Sequence, residues 1–245
     1  MQRSRSFIAV LLAAVIVMLL AAVCVLPARW VLRLVPHDGI LTVADADGTI
    51  WNGQAWIALG YPETRRMLAD PVQWQWRGFS IELRHPWLRG PVTLSPRLGG
   101  LEISAQQVQL PAATLASLGA PWNTLAPTGR LELSWHTLST SQPQAAGPLA
   151  DLAWRDAGSA LSMVSPLGDY HLRLASTGKM LTADLGTDKG PLELSGQGTW
   201  DGRRWNFQGR AKAGAGATDA QAAQLAGLLN TIGPLQGDAH RFGTQ

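Results

Sequence analysis

Apolar and polar positions follow two different patterns along the chain. Residues Phe7 to Leu26 form one apolar run of 20 residues without a charge, a proline or a glycine. A helix of that length rises about 30 Å, which matches the hydrocarbon thickness of a bilayer. The remaining residues alternate between apolar and polar and are punctuated by glycine. The pattern predicts a single transmembrane helix at 7–26, followed by a β-rich body.

Two other readings of the apolar run stay open. A cleaved signal peptide usually has a shorter apolar region, of about 7–15 residues, and a small-residue cleavage site, whereas cleavage after Ala22 would fall inside this run. A lipid-anchored protein would carry a small residue before the acylated cysteine, whereas Val23 precedes Cys24. Both features favour an uncleaved anchor.

The flanks of the run suggest an orientation. The short segment 1–6 carries two arginines and the terminal amine, so the positive-inside rule predicts that it stays in the cytoplasm. The segment 27–38 then lies next to the membrane, with Trp30 at the level of the lipid headgroups, where an indole is favoured. The body of the chain is predicted to lie in the periplasm.

Period-two alternation dominates that body. In residues 204–212, and again in 130–136, apolar side chains point to one side and polar side chains to the other. Such alternation is typical of antiparallel sheet with one buried face and one solvated face. We expect a mainly β protein, with a curved antiparallel sheet over residues 39–213. Its two halves are built from hairpins and joined by a polar linker at 139–147.

Two glycine-containing motifs mark the hairpins. The segments 48–53 and 198–202 each place an Asn-Gly or Asp-Gly pair between strand-like runs, which is the strongest short-range hairpin signal. The residues assigned to these structural motifs are Gly48, Thr49, Trp51, Asn52, Gly53, Gly198, Trp200, Asp201 and Gly202. A change of strand parity further on predicts a β-bulge at residues 105–107.

Helices are few in this prediction. Residues 111–118 predict one short helix, with a proline at its start and a glycine after its end. Residues 63–69 predict another. The segment 214–245 predicts a C-terminal helix and tail, in which Thr218 or Asp219 caps the helix. That helix presents an apolar stripe of Leu225, Leu228, Leu229 and Ile232 and ends at Gly233 and Pro234.

The composition narrows the function classes. The net charge is +3, and the basic residues are scattered, so the chain lacks the basic stripe that nucleic-acid binding requires. A single cysteine excludes an internal disulfide. Eleven tryptophans are an unusual number beside two tyrosines and four phenylalanines. Most of them alternate with polar neighbours, which indicates core packing first and a binding surface second.

Three motifs resemble known sites but lack essential parts. Ser176 and Lys179 have catalytic Ser-x-x-Lys spacing, but they fall between two strands and not at a helix start, so we predict a hairpin turn. The glycine-rich segment 214–219 places an aspartate where a dinucleotide motif needs a small residue, so we predict a connector and a helix cap. Residues 45–48 begin like a calcium loop but lack its later ligands, so we predict a tight turn. A weak calcium site made with a neighbouring loop stays an alternative.

The remaining polar residues do not indicate catalysis. The five histidines lack zinc spacing, and four of the glutamates occupy outward strand positions that are most simply solvated. We predict no catalytic, metal-binding or cofactor-binding residue, and a protein that is not an enzyme. The histidines are at positions 37, 85, 136, 171 and 240, and the glutamates are at 82, 102, 132 and 193.

The chain resembles the type II secretion system protein N family, also called general secretion pathway protein N. The resemblance combines the predicted anchor, the β-rich body and a series of short motifs in the expected order. Those motifs are Gly48 to Gln54, Trp74 to Trp76, Leu149 to Trp154, Pro166 to Tyr170, Leu194 to Trp200, Phe207 to Gly209 and Leu228 to Gly233.

The resemblance implies a non-enzymatic accessory component of the machinery that exports folded proteins across the outer membrane of Gram-negative bacteria. It implies an anchor in the inner membrane, a periplasmic body and contacts with other subunits of the inner-membrane platform. The family is also similar in outline to β-groove proteins of the AsmA type, which carry lipid on a curved sheet.

These implications leave three hypotheses for function. The leading one is an interaction subunit of the secretion system, which uses open strand edges and surface tryptophans for contacts. The second is a lipid-handling groove. The third, a membrane-tethered cell-wall enzyme, would need Ser176 and Lys179 to act together. The residues proposed to line the groove are Trp56, Trp74, Trp76 and Trp135.

Overall fold

The computed structural model describes residues 14–19, 21–32, 39–120, 122–141 and 146–244. Residues 14–19 and 21–24 are helical. Across the described ranges, no helix combines the length and apolar character needed to cross a membrane. The proposed anchor begins at Phe7, which lies outside the described residues, so the anchor and the cytoplasmic segment 1–6 stay predictions.

The strands form two antiparallel sheets, so the expectation of a mainly β fold with few helices is confirmed. The first sheet has eight strands, seven in the order β1-β2-β4-β5-β6-β7-β10, while β3 pairs with β2. They are β1 (Leu41–Gly48), β2 (Asn52–Leu59), β3 (Arg66–Met67), β4 (Val72–Arg77), β5 (Ser80–Arg84), β6 (Val92–Arg97), β7 (Gly100–Ile103) and β10 (Leu138–Ser139).

The second sheet has nine strands in the order β16-β17-β15-β14-β13-β12-β11-β9-β8. They are β8 (Gln106–Pro111), β9 (Pro127–Trp135), β11 (Gly147–Ser159), β12 (Gly168–Ser176), β13 (Leu181–Lys189), β14 (Leu192–Trp200), β15 (Trp205–Ala213), β16 (Leu235–Gln236) and β17 (Ala239–Gly243). The last two strands lie in the segment for which the sequence predicted only a tail, and β17 pairs with β15.

The helices are short except the last. The described elements include α1 (Arg29–Leu32), a 3-10 helix (Ala112–Leu118), α2 (Trp122–Leu125) and α3 (Asp219–Ile232). The predicted helix at 111–118 is confirmed as the 3-10 helix, with Pro111 as its N-cap. The predicted helix at 63–69 is wrong, because this segment forms a turn and the two-residue strand β3. Pairing of β3 with β2 supplies backbone hydrogen bonds that an isolated helical turn would lack.

One antiparallel ribbon joins the two sheets. The chain from β7 to β8 pairs with the chain from β9 to β10, so both strands pass from one sheet to the other. The predicted bulge at 105–107 is therefore wrong. The parity changes there because β7 ends in the first sheet at Ile103 and β8 begins in the second at Gln106. The predicted linker at 139–147 falls between β10 and β11.

Helix α3 covers part of the second sheet and forms the largest cluster of buried apolar residues. Leu225, Leu228 and Leu229 are buried, as are Leu192 on β14 and Ala211 on β15. The Thr218 hydroxyl caps the helix by accepting a hydrogen bond from the Gln221 N–H, and the Gln221 side chain closes the capping box. The apolar stripe and cap inferred from the sequence are confirmed.

Candidate functional site

The apolar segment at the N-terminus is joined directly to the first hairpin of the first sheet. The indole N–H of Trp51 donates to the Val23 carbonyl at 2.9 Å. The Ile50 N–H donates to the Leu26 carbonyl at 3.0 Å, and the Ala28 N–H donates to the Gly48 carbonyl at 3.0 Å. The hairpin turn is thereby held against the end of the helical segment.

Two further tryptophans fix the same turn. The indole N–H groups of Trp74 and Trp76 both donate to the Ile50 carbonyl, at 3.1 and 3.0 Å. The rings of Trp51 and Trp76 meet edge to face, with centroids 5.4 Å apart. Such ring pairs add stability beyond the area that they bury. The indole N–H groups are all hydrogen-bonded and two of the rings are in contact, so several independent interactions hold this corner.

Small residues allow α1 to approach the sheet closely. Ala28, Ala46 and Ala55 are buried together at this contact. Arg29 adds ion pairs to Asp45 at 3.7 Å and Asp47 at 3.4 Å. These charges are exposed, so the pairs contribute little to stability.

Residues 45–48 are not the tight turn that the sequence predicted. They are part of β1, because pairing with β2 extends the strand to Gly48. Among the described residues, no group of three or more His, Cys, Asp or Glu side chains is placed to hold a metal ion.

The first motif forms the β1–β2 hairpin, but not with Asn52 and Gly53 at the centre of the turn. These two residues begin β2, and the turn consists of residues 49–51. Gly48 takes the positive φ of 87°. At Gly53, a Cβ would lie 2.6 Å from the Trp74 ring, so only glycine fits. Gly53 therefore allows the Trp74 ring to pack against the start of β2. The role of Asn52 and Gly53 as a family motif stays a prediction.

The second motif forms the β14–β15 hairpin, with Asp201 and Gly202 in the loop. The Asp201 carboxylate accepts hydrogen bonds from the N–H groups of Arg204 at 2.9 Å and Arg203 at 2.8 Å, and these bonds lower the pKa of Asp201. Trp200 stacks at 5.8 Å on Trp205 across the hairpin. Gly198 lies in β14, where a Cβ would approach the Phe207 ring to 2.7 Å.

Three hairpin turns lie at one end of the first sheet, which we call the turn end. They are residues 49–51, 78–79 and 98–99, and antiparallel pairing places them in one row. Each turn exposes an apolar side chain. Trp51 is 37% exposed, Phe79 is 87% exposed, and Leu98 is fully exposed.

The opposite end of the first sheet carries a different surface, which we call the apolar patch. It consists of Ile40, Leu41, Tyr61 and Met67, which are 42–62% exposed. Strand register places them at the same end of the sheet, because Leu41 pairs with Leu59 and Ala58 pairs with Met67. Leu59 and Ala58 are successive residues of β2, so Leu41 and Met67 point to opposite faces and the patch wraps around this end. The Gly60 N–H also donates to the Ile40 carbonyl at 2.7 Å.

The apolar patch sits on a fixed support. The Thr64 hydroxyl donates to the Ser117 carbonyl at 2.7 Å, which ties the turn beside Tyr61 to the 3-10 helix. Gly60 passes so close to Ser117 that a Cβ would overlap its carbonyl. The sequence pattern does not predict this patch, because it favours a helix over residues 63–69, which include Met67. The Gly60-Tyr61-Pro62 run, which combines two turn residues, was the available signal.

The four tryptophans proposed to line a groove do not share one surface. Trp74 pairs with Gly53, while Trp56 pairs with Asp45, and residues of alternate parity point to opposite faces. Trp56 therefore points away from Trp74 and Trp76. Trp135 belongs to the second sheet, where its indole N–H donates to the Ser104 carbonyl at 3.0 Å.

One face of the first sheet is nevertheless apolar and partly exposed. Cross-strand pairs place Trp74, Leu83 and Val92 on that face, and place Trp76, Ile81, Leu94 and Ile103 there as well. Of these residues only Val92 is buried.

The second sheet has an open cavity of about 840 Å³ between β13–β15, β17 and the end of α3. Glycines at 196 and 209 leave space on the sheet, but aromatic rings occupy it. A Cβ at Gly196 would lie 2.7 Å from the Phe207 ring, and the Phe242 ring lies over Gly209. The two rings are 6.1 Å apart. The rings of Phe207 and Phe242 therefore line this cavity, and they cover the sheet surface at Gly196 and Gly209 where an apolar trough would otherwise lie.

A cluster of charges lies on β11–β13 and was not indicated by the sequence pattern. Burial raises the pKa of Asp169, but the Asp156 N–H at 2.8 Å, Lys189 at 3.2 Å and Arg155 together hold that pKa below its usual value. His171 at 2.6 Å and Arg155 at 2.7 Å likewise lower the pKa of Asp188. Burial raises the pKa of the neighbouring tyrosine hydroxyl at position 170. Each carboxylate of this cluster is paired with basic side chains on neighbouring strands, which indicates that the cluster has a structural role.

The other motifs take the forms that the sequence predicted. Residues 177–180 form the turn between β12 and β13, and the Ser176 hydroxyl accepts a hydrogen bond from the Gly178 N–H at 3.1 Å. Lys179 is exposed beside it. The segment 214–218 connects β15 to the capped helix α3.

The fold and its surfaces define a two-sheet β protein in which an N-terminal apolar segment is joined to the first hairpin. The chain belongs to the type II secretion system protein N family, because the family model matches residues 40–241 of the 245. Membership makes it a component of the type II secretion system, which works in the cell envelope. No curated protein and no solved structure matched the chain in similar comparisons.

Proposed function

We propose that the protein is a non-enzymatic accessory subunit of the type II secretion system. It is anchored in the inner membrane by residues 7–26 and contacts other subunits through its periplasmic body. The family match over residues 40–241 carries this proposal. The junction between Val23 and Trp51 supports it, because the body is attached where the apolar segment ends.

The apolar patch is the surface that we assign to subunit contact. Four large apolar side chains exposed around one end of the sheet are costly to leave in water, and exposed apolar groups gathered in this way are typical of protein interfaces. Tyrosine and methionine, which are enriched in interfaces, occupy positions 61 and 67. The patch lies at the end of the sheet opposite the anchor junction, so it faces the periplasm in the proposed orientation.

Strand addition at the open edge is less favoured than contact at the patch. The longest edge strand, β1, has a strand partner on one side only within the described part of the chain. Its register shifts between Val43 and Asp45, which leaves Ala44 as a bulge, and Asp45 and Asp47 add charge. A bulge and charged side chains are the usual protection of an exposed edge.

Affinity purification of the tagged full-length chain from native membranes tests the proposal. Wild-type protein should recover other secretion-system subunits. A Tyr61→Ser, Met67→Ser double variant should recover about tenfold less, because large side chains of this kind dominate contact energies. The control is Met163→Ser, which changes an 88% exposed methionine in the second-sheet region and should recover wild-type amounts.

Recovery of no secretion-system subunit by the wild-type chain would contradict the function. Equal recovery by the double variant would contradict the patch alone. A chain that fractionates away from membranes would contradict the anchor.

A second candidate function is lipid binding on the apolar face of the first sheet. The partly exposed Trp74, Ile81, Leu83 and Leu94 favour it, since acyl chains would cover them. Mass spectrometry of the purified chain should then show bound lipid above the amount on an unrelated single-pass protein. Replacing Leu83 with aspartate should remove it, and unchanged lipid in that variant would contradict this function.

A further inference from the structure

Phe79 and Leu98 occupy the outermost positions of two hairpins at the turn end. The β4–β5 turn consists of Gly78 and Phe79, and the β6–β7 turn consists of Leu98 and Gly99. Both glycines have positive φ, at 63° and 83°, which allows two-residue turns. A Cβ at either glycine would have no atom within 4 Å, so both turns project freely.

An exposed phenylalanine and leucine at such turns do not serve the core. Phe79 is 87% exposed and Leu98 is fully exposed, so neither side chain adds apolar burial to the fold. Water is the unfavourable surrounding for both. Their exposure leaves both side chains available for a contact outside the chain.

The position of the turns identifies that contact. The turn at residues 49–51 is bonded to Val23 and Leu26 at the end of the apolar segment. β1 and β7 are the outer members of six neighbouring strands, and the five spacings between them, at about 4.8 Å each, span about 24 Å. The other two turns therefore stand in a row beside the point where the proposed anchor leaves the bilayer.

The arginines beside the turns lie against carboxylates, and Glu82 also pairs with Arg84 at 3.0 Å. Arg77 pairs with Glu82 at 3.6 Å, and Arg97 pairs with Glu102 at 2.9 Å. Both pairs hold the arginine along its own hairpin. An attraction that depended on anionic lipid would need arginines free of carboxylates, whereas Arg77 and Arg97 at these two turns are paired, so the contact expected here is mainly apolar and depends weakly on salt.

We infer that the turns at residues 78–79 and 98–99 rest in the interfacial layer of the same bilayer that holds the proposed anchor. Phe79 and Leu98 insert between lipid headgroups, and Trp51 and Trp76 lie beside them at the depth that indoles favour. The first sheet is then held at three points along its turn end. This inference depends on the anchor of the proposed function.

Fluorescence quenching in lipid discs tests the inference. Full-length protein carrying Cys24→Ser receives one cysteine, by Phe79→Cys, Leu98→Cys or Tyr61→Cys, and an environment-sensitive label. Tyr61 is the matched control, because it is an exposed aromatic residue at the opposite end of the same sheet. The quenchers are a lipid-borne nitroxide near the headgroup and iodide in water.

The labels at positions 79 and 98 should lose fluorescence with the lipid-borne quencher and resist iodide, while the label at 61 shows the reverse. The pattern should persist in high salt and in discs of zwitterionic lipid. Labels at 79 and 98 that behave like the label at 61 would overturn the inference and leave the anchor intact. A chain that does not enter discs at all would overturn the anchor and this inference together.

Discussion

The two sheets differ in what covers their apolar residues. In the second sheet, α3 packs Leu225, Leu228 and Leu229 onto β14 and β15 and excludes water. In the first sheet, the buried cluster consists of three alanines at the junction with α1, and larger apolar side chains stay partly exposed. The difference separates two tasks. The buried cluster under α3 stabilises the second sheet, and we propose that the first sheet supplies surfaces for contact.

The largest expected effect is the loss of a core leucine in the second sheet. Leu225→Ala removes a fully buried side chain and leaves a cavity, so it should lower the free energy of unfolding by about 3 kcal/mol. Hydrogen exchange in β14 and β15 measures it. The control is Leu41→Ala in the first sheet, where the side chain is 62% exposed and the loss should stay below about 0.5 kcal/mol. Equal losses in the two variants would remove the distinction between the sheets.

The charge cluster of the second sheet should give the next largest effect. Asp169→Asn keeps the shape of the side chain but removes the buried charge that Lys189 and Arg155 face, so it should cost about 2 kcal/mol. Chemical denaturation measures this loss. Asp151→Asn breaks an exposed pair with Arg173 and should cost less than about 0.5 kcal/mol. A similar cost for both variants would show that burial of Asp169 does not matter.

The cap of α3 should contribute less. Thr218→Ala removes the hydroxyl that accepts from the Gln221 N–H and should cost about 1 kcal/mol. Thr218→Ser retains the hydroxyl and should retain the stability, as thermal unfolding would show. If the serine and alanine variants unfold alike, the cap does not hold the helix over the second sheet.

The smallest expected effect is the difference in acid sensitivity between the wild type and an Asp188→Asn variant. The contacts of Asp169 and Asp188 lower the pKa of both carboxyl groups, so the stability they contribute is present above about pH 4 and is lost as pH falls through their lower folded values. Denaturation between pH 7 and pH 2 should show this loss chiefly in β11–β13. The Asp188→Asn variant should lose less stability on acidification than the wild type, and an equal loss would contradict this assignment.

The sequence predicted the parts of the fold that depend on local chemistry. The stripe and cap of α3 follow from helical spacing and from the hydrogen-bonding capacity of Thr218. The hairpin at Asp201 and Gly202 follows from the residues that its turn requires. Each of these features is decided within a few residues, so the local pattern contains the information.

Features that depend on distant pairing could not be predicted in this way. The parity change at 105–107 resembles a bulge in sequence, and only the pairing of β8 with β9 shows that it is a passage between sheets. The same limit applies to the apolar patch, whose residues belong to β1, to β3 and to segments next to β1 and β2. Asp169 meets Lys189 and Arg155 through strand register, which one-dimensional alternation does not specify.

Site-specific photo-crosslinking in living cells tests the division between the sheets most directly. A photoreactive phenylalanine replaces Tyr61 in the apolar patch, or Arg173 on the exposed surface of the second sheet. We predict that the label at 61 captures another subunit of the type II secretion system and that the label at 173 does not. Capture at 173 alone, or no subunit captured from either position, would contradict the assignment of contact to the first sheet.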